Sequence, residues 1–145
     1  MKKRINVAKV APEAYEGMIA LEKYLANSGL DKKLYELIKT RASQINGCAF
    51  CLNMHTRDAL AIGETPQRLF LLDAWRETEL YTEKERAVLA LTEAITLVAE
   101  GHISDEIYQA AAAHLSEKEL AAAIMAAVVI NSWNRIAITT HTPLD

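Results

Sequence analysis

The chain has 145 residues, of which 51% are hydrophobic and 24% are charged, and its formal net charge at neutral pH is −3. These values exclude a disordered chain and predict one globular domain, which can bury roughly 70% of its unfolded surface without disulfide staples. No basic stripe stands out along the sequence, so we expect no nucleic-acid partner.

Capping residues and helix breakers divide the chain into predicted helices. The predicted helices run from Glu13 to about Asn27, after Asp31 to about Ile45, from the cysteines to about Ile62, from Pro66 to Asp73 or Trp75, from Glu83 to about Ala99, after Ser104 to about His114, and after Ser116 to about Ile138. Two capping boxes, TEKE from Thr82 and SEKE from Ser116, mark the starts of the fifth and last helices. Because no useful alternating strand pattern occurs, we predict a single all-α domain, residues 1–145, with six to seven helices.

The longest apolar run is LAAAIMAAVVI, from Leu120 to Ile130. It is too short and too rich in alanine to be predicted as a membrane span, so we expect no membrane contact. A helix that is apolar on nearly every face must be buried on all sides. In so small a domain, the last helix is therefore either central or completes its burial at a subunit interface, and we favour an oligomer.

The N-terminal sequence MKKRINVAKVAPEAYEG starts with basic residues, but no apolar segment follows them. We therefore expect no signal peptide, and a cytoplasmic location. Structural disulfides are rare in the cytoplasm, where a close cysteine pair is more often redox-active or metal-binding.

Both cysteines of the chain lie in one segment, INGCAFCLNMH, from Ile45 to His55. The Asn46-Gly47 dipeptide is predicted to end one helix, so that the next begins at the cysteines. On a helix with about 100° per residue, Cys48, Cys51 and His55 share one face. The first turn of a helix has free N–H groups and a positive potential, which favour thiolate over thiol.

A cysteine pair at this spacing can cycle between dithiol and disulfide. One thiolate attacks a peroxide oxygen and becomes a sulfenic acid, and the second thiol condenses with it and releases water. A second dithiol then reduces the disulfide by exchange. Two other interpretations stay open: two buried structural cysteines, or a zinc site with His55 as third ligand. The zinc site needs a fourth ligand from three histidines without ligand-like spacing, His102, His114 and His141.

The order and spacing of this motif resemble those of a known family. Glu36, eleven residues and then Cys48-x-x-Cys51-x-x-x-His55 are similar to the signature of the AhpD-like alkylhydroperoxidases, in the carboxymuconolactone decarboxylase superfamily. The flanking sequence LYELIKTRASQINGCAFCLNMHTRDA and the later segments RLFLLDAWRETELYTEKERAVLALTEAIT and INSWNRIAI also resemble its members. The resemblance covers nearly the whole chain.

The resemblance implies an all-helical fold that assembles as trimers or as hexamers, and a peroxidase without haem, metal or flavin. It implies that Cys51 attacks hydrogen peroxide or an organic hydroperoxide and that Cys48 resolves the product. His55 would take the proton from Cys51, and Glu36 would orient His55. The reductant would be an external lipoyl-type dithiol or a protein thiol. The resemblance also suggests that Arg135 pairs with a buried acid such as Glu93.

At two positions the sequence does not simply support the roles that the family pattern implies. Some members carry a histidine immediately before the second cysteine, where this chain has Phe50, which either packs or shapes an apolar entrance. Glu36 lies opposite the apolar stripe of its own predicted helix, so the pattern alone indicates a solvated surface acid. Its role as a site residue requires that the cysteine helix or a neighbouring subunit cover it.

Two further functions remain as alternatives. A decarboxylase of lactone acids, as in the name of the superfamily, would keep its activity after loss of both cysteines. A non-catalytic redox-sensing oligomer would be oxidised stoichiometrically, without fast turnover.

Overall fold

The computed structural model describes residues 2–145, in which the regular structure is entirely helical. The α-helices and one 3₁₀ helix are α1 (Val7–Val10), α2 (Pro12–Ala26), α3 (Lys32–Asn46), α4 (Ala49–Ala61), α5 (Pro66–Phe70), the 3₁₀ helix (Leu72–Glu77), α6 (Glu83–Thr96), α7 (Val98–Gly101), α8 (Asp105–Ala112) and α9 (Glu117–Thr140). The predicted all-α fold is confirmed, and each of the seven predicted helices has a counterpart.

Local capping explains why the boundaries could be predicted. The Asp31 side chain accepts a hydrogen bond from the backbone N–H of Leu34 at 2.9 Å, and both predicted capping boxes form, at Thr82 and at Ser116. Two predicted helices are divided: the helix expected from Pro66 to Trp75 becomes α5 and the 3₁₀ helix, and the one expected to reach Ala99 ends at Thr96 before α7. The short helix α1 was not predicted.

Helices α3 and α9 form the centre of the domain. Helix α9 packs against α2, α3, α4, α6 and α8, while α3 also packs against α4, α6 and the 3₁₀ helix. Because α3 is covered on two sides, its buried residues do not form a single apolar stripe. They are Leu34, Glu36, Leu37, Ile38, Lys39, Thr40, Ala42 and Ser43.

Helix α9 is not buried on every side within a single chain. Ala126, Ala127, Val129 and Ile130 are buried, but Val128 is 40% exposed. A single chain therefore leaves part of the helix uncovered, and completion of its burial at a subunit interface stays a prediction. The helix as a whole has 24 residues, and by length and composition it is long and apolar enough to cross a membrane. In this structure it packs against five other helices as the core helix of the domain.

Glu93 on α6 connects that helix to α3 and to the 3₁₀ helix. Its carboxylate accepts hydrogen bonds from Trp75 Nε1 at 2.7 Å, Arg41 Nε at 3.0 Å and Arg76 Nη1 at 2.7 Å. The suggested Arg135–Glu93 pair is therefore wrong, since Arg135 donates to the backbone and side-chain oxygens of Asn131 on its own helix. Burial alone raises the pKa of Glu93, but the donors from Trp75, Arg76 and Arg41 outweigh it and hold the pKa below its usual 4.5.

This lowered pKa predicts how stability responds to acid. Because folding lowers the pKa of Glu93, its stabilisation is present above about pH 4.5 and is lost as the pH falls below that value. We expect Glu93→Gln to reduce the free energy of unfolding at pH 7 by about 1–3 kcal/mol, and by less at pH 3. Urea denaturation at both pH values measures the difference, with the exposed Glu16→Gln as the charge-matched control. An equal loss at both pH values would contradict the prediction.

Candidate active site

The cysteine motif lies at a tight turn between α3 and α4. Gly47 adopts a left-handed conformation with φ of 67°, which suits glycine, and lets the N–H of Cys48 donate to the Ser43 carbonyl at 3.0 Å. Cys48 is the N-cap of α4, and its Sγ accepts from the Cys51 N–H at 3.3 Å. The predicted position of the motif, at a helix N-terminus, is confirmed.

Both cysteines are buried, at 1% and 2% exposure, and they are joined to each other in a disulfide. They pack against Ala42 of α3 and against Ile130 and Ala137 of α9. The pair thus lies in a largely apolar cluster where three helices meet, and the spacing read from the sequence is compatible with an intramolecular disulfide.

A set of amides holds the turn that precedes Cys48 against α9. Asn46 Nδ2 donates to Asn131 Oδ1 at 2.9 Å and to Asn134 Oδ1 at 2.8 Å. The fully buried Asn134 in turn donates to Ser43 Oγ at 3.0 Å. Sequence reasoning missed this set, because it joins residues 43 and 46 to residues 131 and 134, which are more than eighty residues further along the chain. It fixes the position of the cysteine turn relative to the core helix.

Glu36 and His55 form a buried pair beside the cysteines. His55 Nδ1 lies 2.9 Å from Glu36 Oε2, and the two residues are 7% and 8% exposed. When the carboxylate is ionised and the imidazole is neutral, this contact requires the hydrogen on Nδ1, and Nε2 is then the proton acceptor. Helix α4 covers the face of α3 on which Glu36 lies, so the surface position indicated by the helix pattern is wrong.

A cavity of about 860 Å³ opens beside this pair. Cys51, His55 and Glu36 line it, whereas Cys48 is not among the lining residues. The walls come from residues 2–8, α2, α3, α4 and the C-terminal part of α9. Phe50 is half-buried there and also packs against the cysteine cluster, while its role at an apolar entrance stays a prediction.

A second polar group in the cavity wall was not predicted. Lys39 is only 1% exposed, and its ammonium donates to the carboxylate of Glu22. The same carboxylate accepts from Tyr35 Oη at 2.6 Å and from Trp133 Nε1 at 2.9 Å. The Lys39 Nζ also lies 4.4 Å from the centroid of the Tyr35 ring. Lys39 is one turn from Tyr35 along α3, but no local signal points to Glu22 or Trp133 as partners.

In this group, the pKa values of Glu22, Lys39 and Tyr35 depend on one another's charges. Burial alone raises the pKa of Glu22, but the Lys39 ammonium and the other donors outweigh it and lower that pKa below its usual value. Burial lowers the pKa of Lys39, and the negative charge of Glu22 opposes this effect. Burial and the carboxylate of Glu22 raise the pKa of Tyr35. The group therefore behaves as one ionised pair with two neutral donors around its carboxylate.

The zinc interpretation receives mixed geometric support. Of the three histidines considered as a fourth ligand, His141 alone lines the cavity among the residues described. A different set with metal-ligand chemistry is Glu36, His55 and Asp58, whose ligand atoms lie within 4.8 Å of one another. The Nδ1 atom of His55 forms a hydrogen bond with Glu36, which is the arrangement that a proton relay requires.

The sequence of this chain matches a protein family and a protein of a bacterium. A sequence model of the Carboxymuconolactone decarboxylase family matches residues 12–94. The uncharacterized protein YdfG of Bacillus subtilis (strain 168) is 43% identical over 138 residues, which are 95% of this chain and 94% of that protein.

Solved structures show the same fold. A protein of unknown function from Agrobacterium tumefaciens, named as a putative antioxidant defence protein AhpD, is 42% identical, covers 99% of both chains and superposes with a TM-score of 0.95. An uncharacterized peroxidase-related protein from Ralstonia eutropha JMP134, described as an alkylhydroperoxidase AhpD core, is 16% identical over 96% of this chain and 74% of its own, with a TM-score of 0.82. At that identity the second similarity concerns the fold alone.

Proposed function

The chain belongs to the carboxymuconolactone decarboxylase family, and from this premise we propose that it is a thiol-dependent peroxidase for hydrogen peroxide or organic hydroperoxides. Family membership and the AhpD-like neighbours support an enzyme with a peroxidase-related or decarboxylase-type activity. The observation that favours the peroxidase is the Cys48–Cys51 disulfide at the N-terminus of α4, beside the Glu36–His55 pair and a cavity. Acid–base decarboxylation has no need of two thiols.

The proposed cycle starts from the dithiol. The Cys51 thiolate attacks the terminal oxygen of the peroxide, an S–O bond forms, the O–O bond breaks, and the alkoxide or hydroxide leaves and takes up a proton. The Cys48 thiol then attacks the sulfenic sulfur of Cys51, which forms the disulfide and releases water. An external dithiol, either lipoyl-type or on a protein, restores both thiols by exchange.

Three features support the assignment of roles. Cys51 lines the cavity and Cys48 does not, so a peroxide in the cavity meets Cys51 first. Cys51 is in the first turn of α4, where the helix dipole favours a thiolate. His55 is one turn further along the same helix, and its Nε2 is the nitrogen left to accept the thiol proton while Glu36 holds Nδ1.

The remaining parts of the proposal concern partners and location. The protein would act in the cytoplasm without a bound cofactor or metal, and would assemble as a homotrimer or homohexamer. Val128 and Ile138, which are 40% and 43% exposed on α9, are apolar residues that a subunit interface would cover.

The experiment that tests the function measures peroxide consumption by the reduced protein with excess dihydrolipoamide, together with free thiols before and after. We expect many turnovers with reductant, and the loss of two thiols per chain without it. No turnover with both thiols still free would contradict the peroxidase. Activity on a lactone acid that survives replacement of both cysteines would indicate the decarboxylase instead.

The role of His55 predicts a change in the reactivity of Cys51. In a Cys48→Ser background, where Cys51 is the one remaining thiol, His55→Gln should raise the thiol pKa by roughly one unit or more, because the proton acceptor is lost. The rate of alkylation by iodoacetamide as a function of pH measures this pKa. The exposed His114→Gln is the matched control, and an unchanged profile in the His55 variant would exclude the relay.

A further inference from the structure

The cavity is much larger than hydrogen peroxide requires. Its volume of about 860 Å³ is in the range of pockets that hold drug-sized ligands, roughly 300–1,000 Å³. Much of the wall is apolar, with side chains from residues 2–8, α2, α4 and α9. They include Ile5, Val7, Ile19, Phe50, Met54 and Ile136. The cavity therefore has the room and the apolar surface for an occupant with an extended apolar body.

Basic side chains line one part of the cavity. Lys2, Lys3 and Arg4 are consecutive, and none of them forms an ion pair within residues 2–145. Arg4 Nη1 donates to the Thr139 carbonyl at 2.7 Å, which holds the segment against the end of α9. Four cationic and three acidic side chains line the cavity, although the chain as a whole has a net charge of −3.

Two of the acids in the cavity have polar partners within the protein. Glu22 forms an ion pair with Lys39, and Glu36 forms a hydrogen bond with His55. The third acid, Asp58 on α4, has a carboxylate oxygen within 4.8 Å of the ligand atoms of Glu36 and His55. With four cationic and three acidic side chains in its lining, the cavity keeps a surplus of one positive charge, which favours an anionic group on the occupant.

His141 provides a second and independent sign of a ligand. Its Nδ1 is buried without a hydrogen-bond partner in the part of the chain that the structure describes, and the residue lines the same cavity. Its backbone is in the left-handed region, with φ of 51°, which is unfavourable for a residue other than glycine. His141 is two residues beyond Thr139, to which Arg4 binds. Arg4 and His141 therefore belong to one part of the cavity.

From these observations we propose that the cavity binds a long-chain carboxylate and that the substrate class is a hydroperoxide of a fatty acid. The carboxylate binds among Lys2, Lys3, Arg4 and His141, the acyl chain lies along the apolar wall, and the hydroperoxyl group reaches Cys51. The substrate class rests on the proposed peroxidase function. In the balanced reaction, the hydroperoxy acid and two thiols give the hydroxy acid, water and the Cys48–Cys51 disulfide.

Binding can be tested without turnover. Titration calorimetry of the disulfide form with laurate and with methyl laurate, below their aggregation concentrations, should show at least tenfold tighter binding of the acid. Lys2→Gln/Lys3→Gln should remove most of that preference. The exposed pair Lys32→Gln/Lys33→Gln makes the same change of charge outside the cavity and should keep it. An equal affinity for acid and ester, or no binding of laurate, would overturn the proposal.

A variant of His141 separates a ligand role from a structural one. His141→Gly suits the left-handed backbone, so the protein should fold at least as stably as the wild type. We expect this variant to bind laurate at least fivefold more weakly. Unchanged binding would exclude His141 from the carboxylate site.

Turnover separates this proposal from the function on which it rests. We expect kcat/KM for an 18-carbon hydroperoxy acid to exceed that for its methyl ester at least tenfold, and the ratio to fall towards one in Lys2→Gln/Lys3→Gln. Turnover of hydrogen peroxide with equal rates for acid and ester would overturn the substrate class and leave the peroxidase standing. Tight laurate binding without reduction of any peroxide would overturn the peroxidase and leave the carboxylate site standing.

Discussion

Replacement of Cys51 by serine is expected to abolish peroxide turnover, with a loss of at least about a thousandfold in kcat/KM. A serine hydroxyl is not ionised at neutral pH, so the helix N-terminus and His55 have no thiolate to stabilise. Cys48→Ser should behave differently, because Cys51 is still present and lines the cavity. That variant should complete one reduction and then stop as a sulfenic acid or a mixed disulfide.

Mass spectrometry after a single addition of peroxide distinguishes the two variants. Cys48→Ser should gain one oxygen on Cys51, or one molecule of an added thiol, while Cys51→Ser should show neither at the same rate. The thermal unfolding of both variants serves as the control for folding. Normal turnover of Cys48→Ser with an added dithiol would show that Cys48 is not the resolving thiol.

Replacement of Glu22 by alanine is expected to give the largest loss of stability, about 3–5 kcal/mol in the free energy of unfolding. The Lys39 side chain is 1% exposed, so removal of its partner leaves an uncompensated charge in the interior. Tyr35 and Trp133 lose their hydrogen-bond acceptor at the same time. Urea denaturation at pH 7 measures the loss.

Two further variants show whether the ion pair causes this effect. Glu16→Ala removes an exposed glutamate from the same helix and should change the stability by less than about 0.5 kcal/mol. In the double variant Glu22→Ala/Lys39→Met, the buried charge is gone, so the loss should be smaller than in Glu22→Ala alone. A double variant as unstable as the sum of the two single ones would contradict the explanation.

The features that the sequence predicted well are local ones. The capping boxes at Thr82 and Ser116 and the glycine at position 47 act within four residues of chain, so they place helix ends regardless of the packing. The common face of Cys48, Cys51 and His55 likewise depends only on helical spacing. Glu36 is different, because the pattern of α3 predicted an exposed side chain, and only the likeness to a family placed it in the site.

The sequence by itself thus determined an all-helical domain with a cysteine pair at the start of a helix and a histidine one turn beyond. The tertiary structure decided which helices cover which faces. It brought Glu22, Lys39 and Trp133 together across 17 and 111 residues of chain, and it placed Lys2, Lys3, Arg4 and His141 around one cavity. Such contacts depend on how α2, α3 and α9 pack, and helical periodicity describes only the faces of each helix, without naming what lies against them.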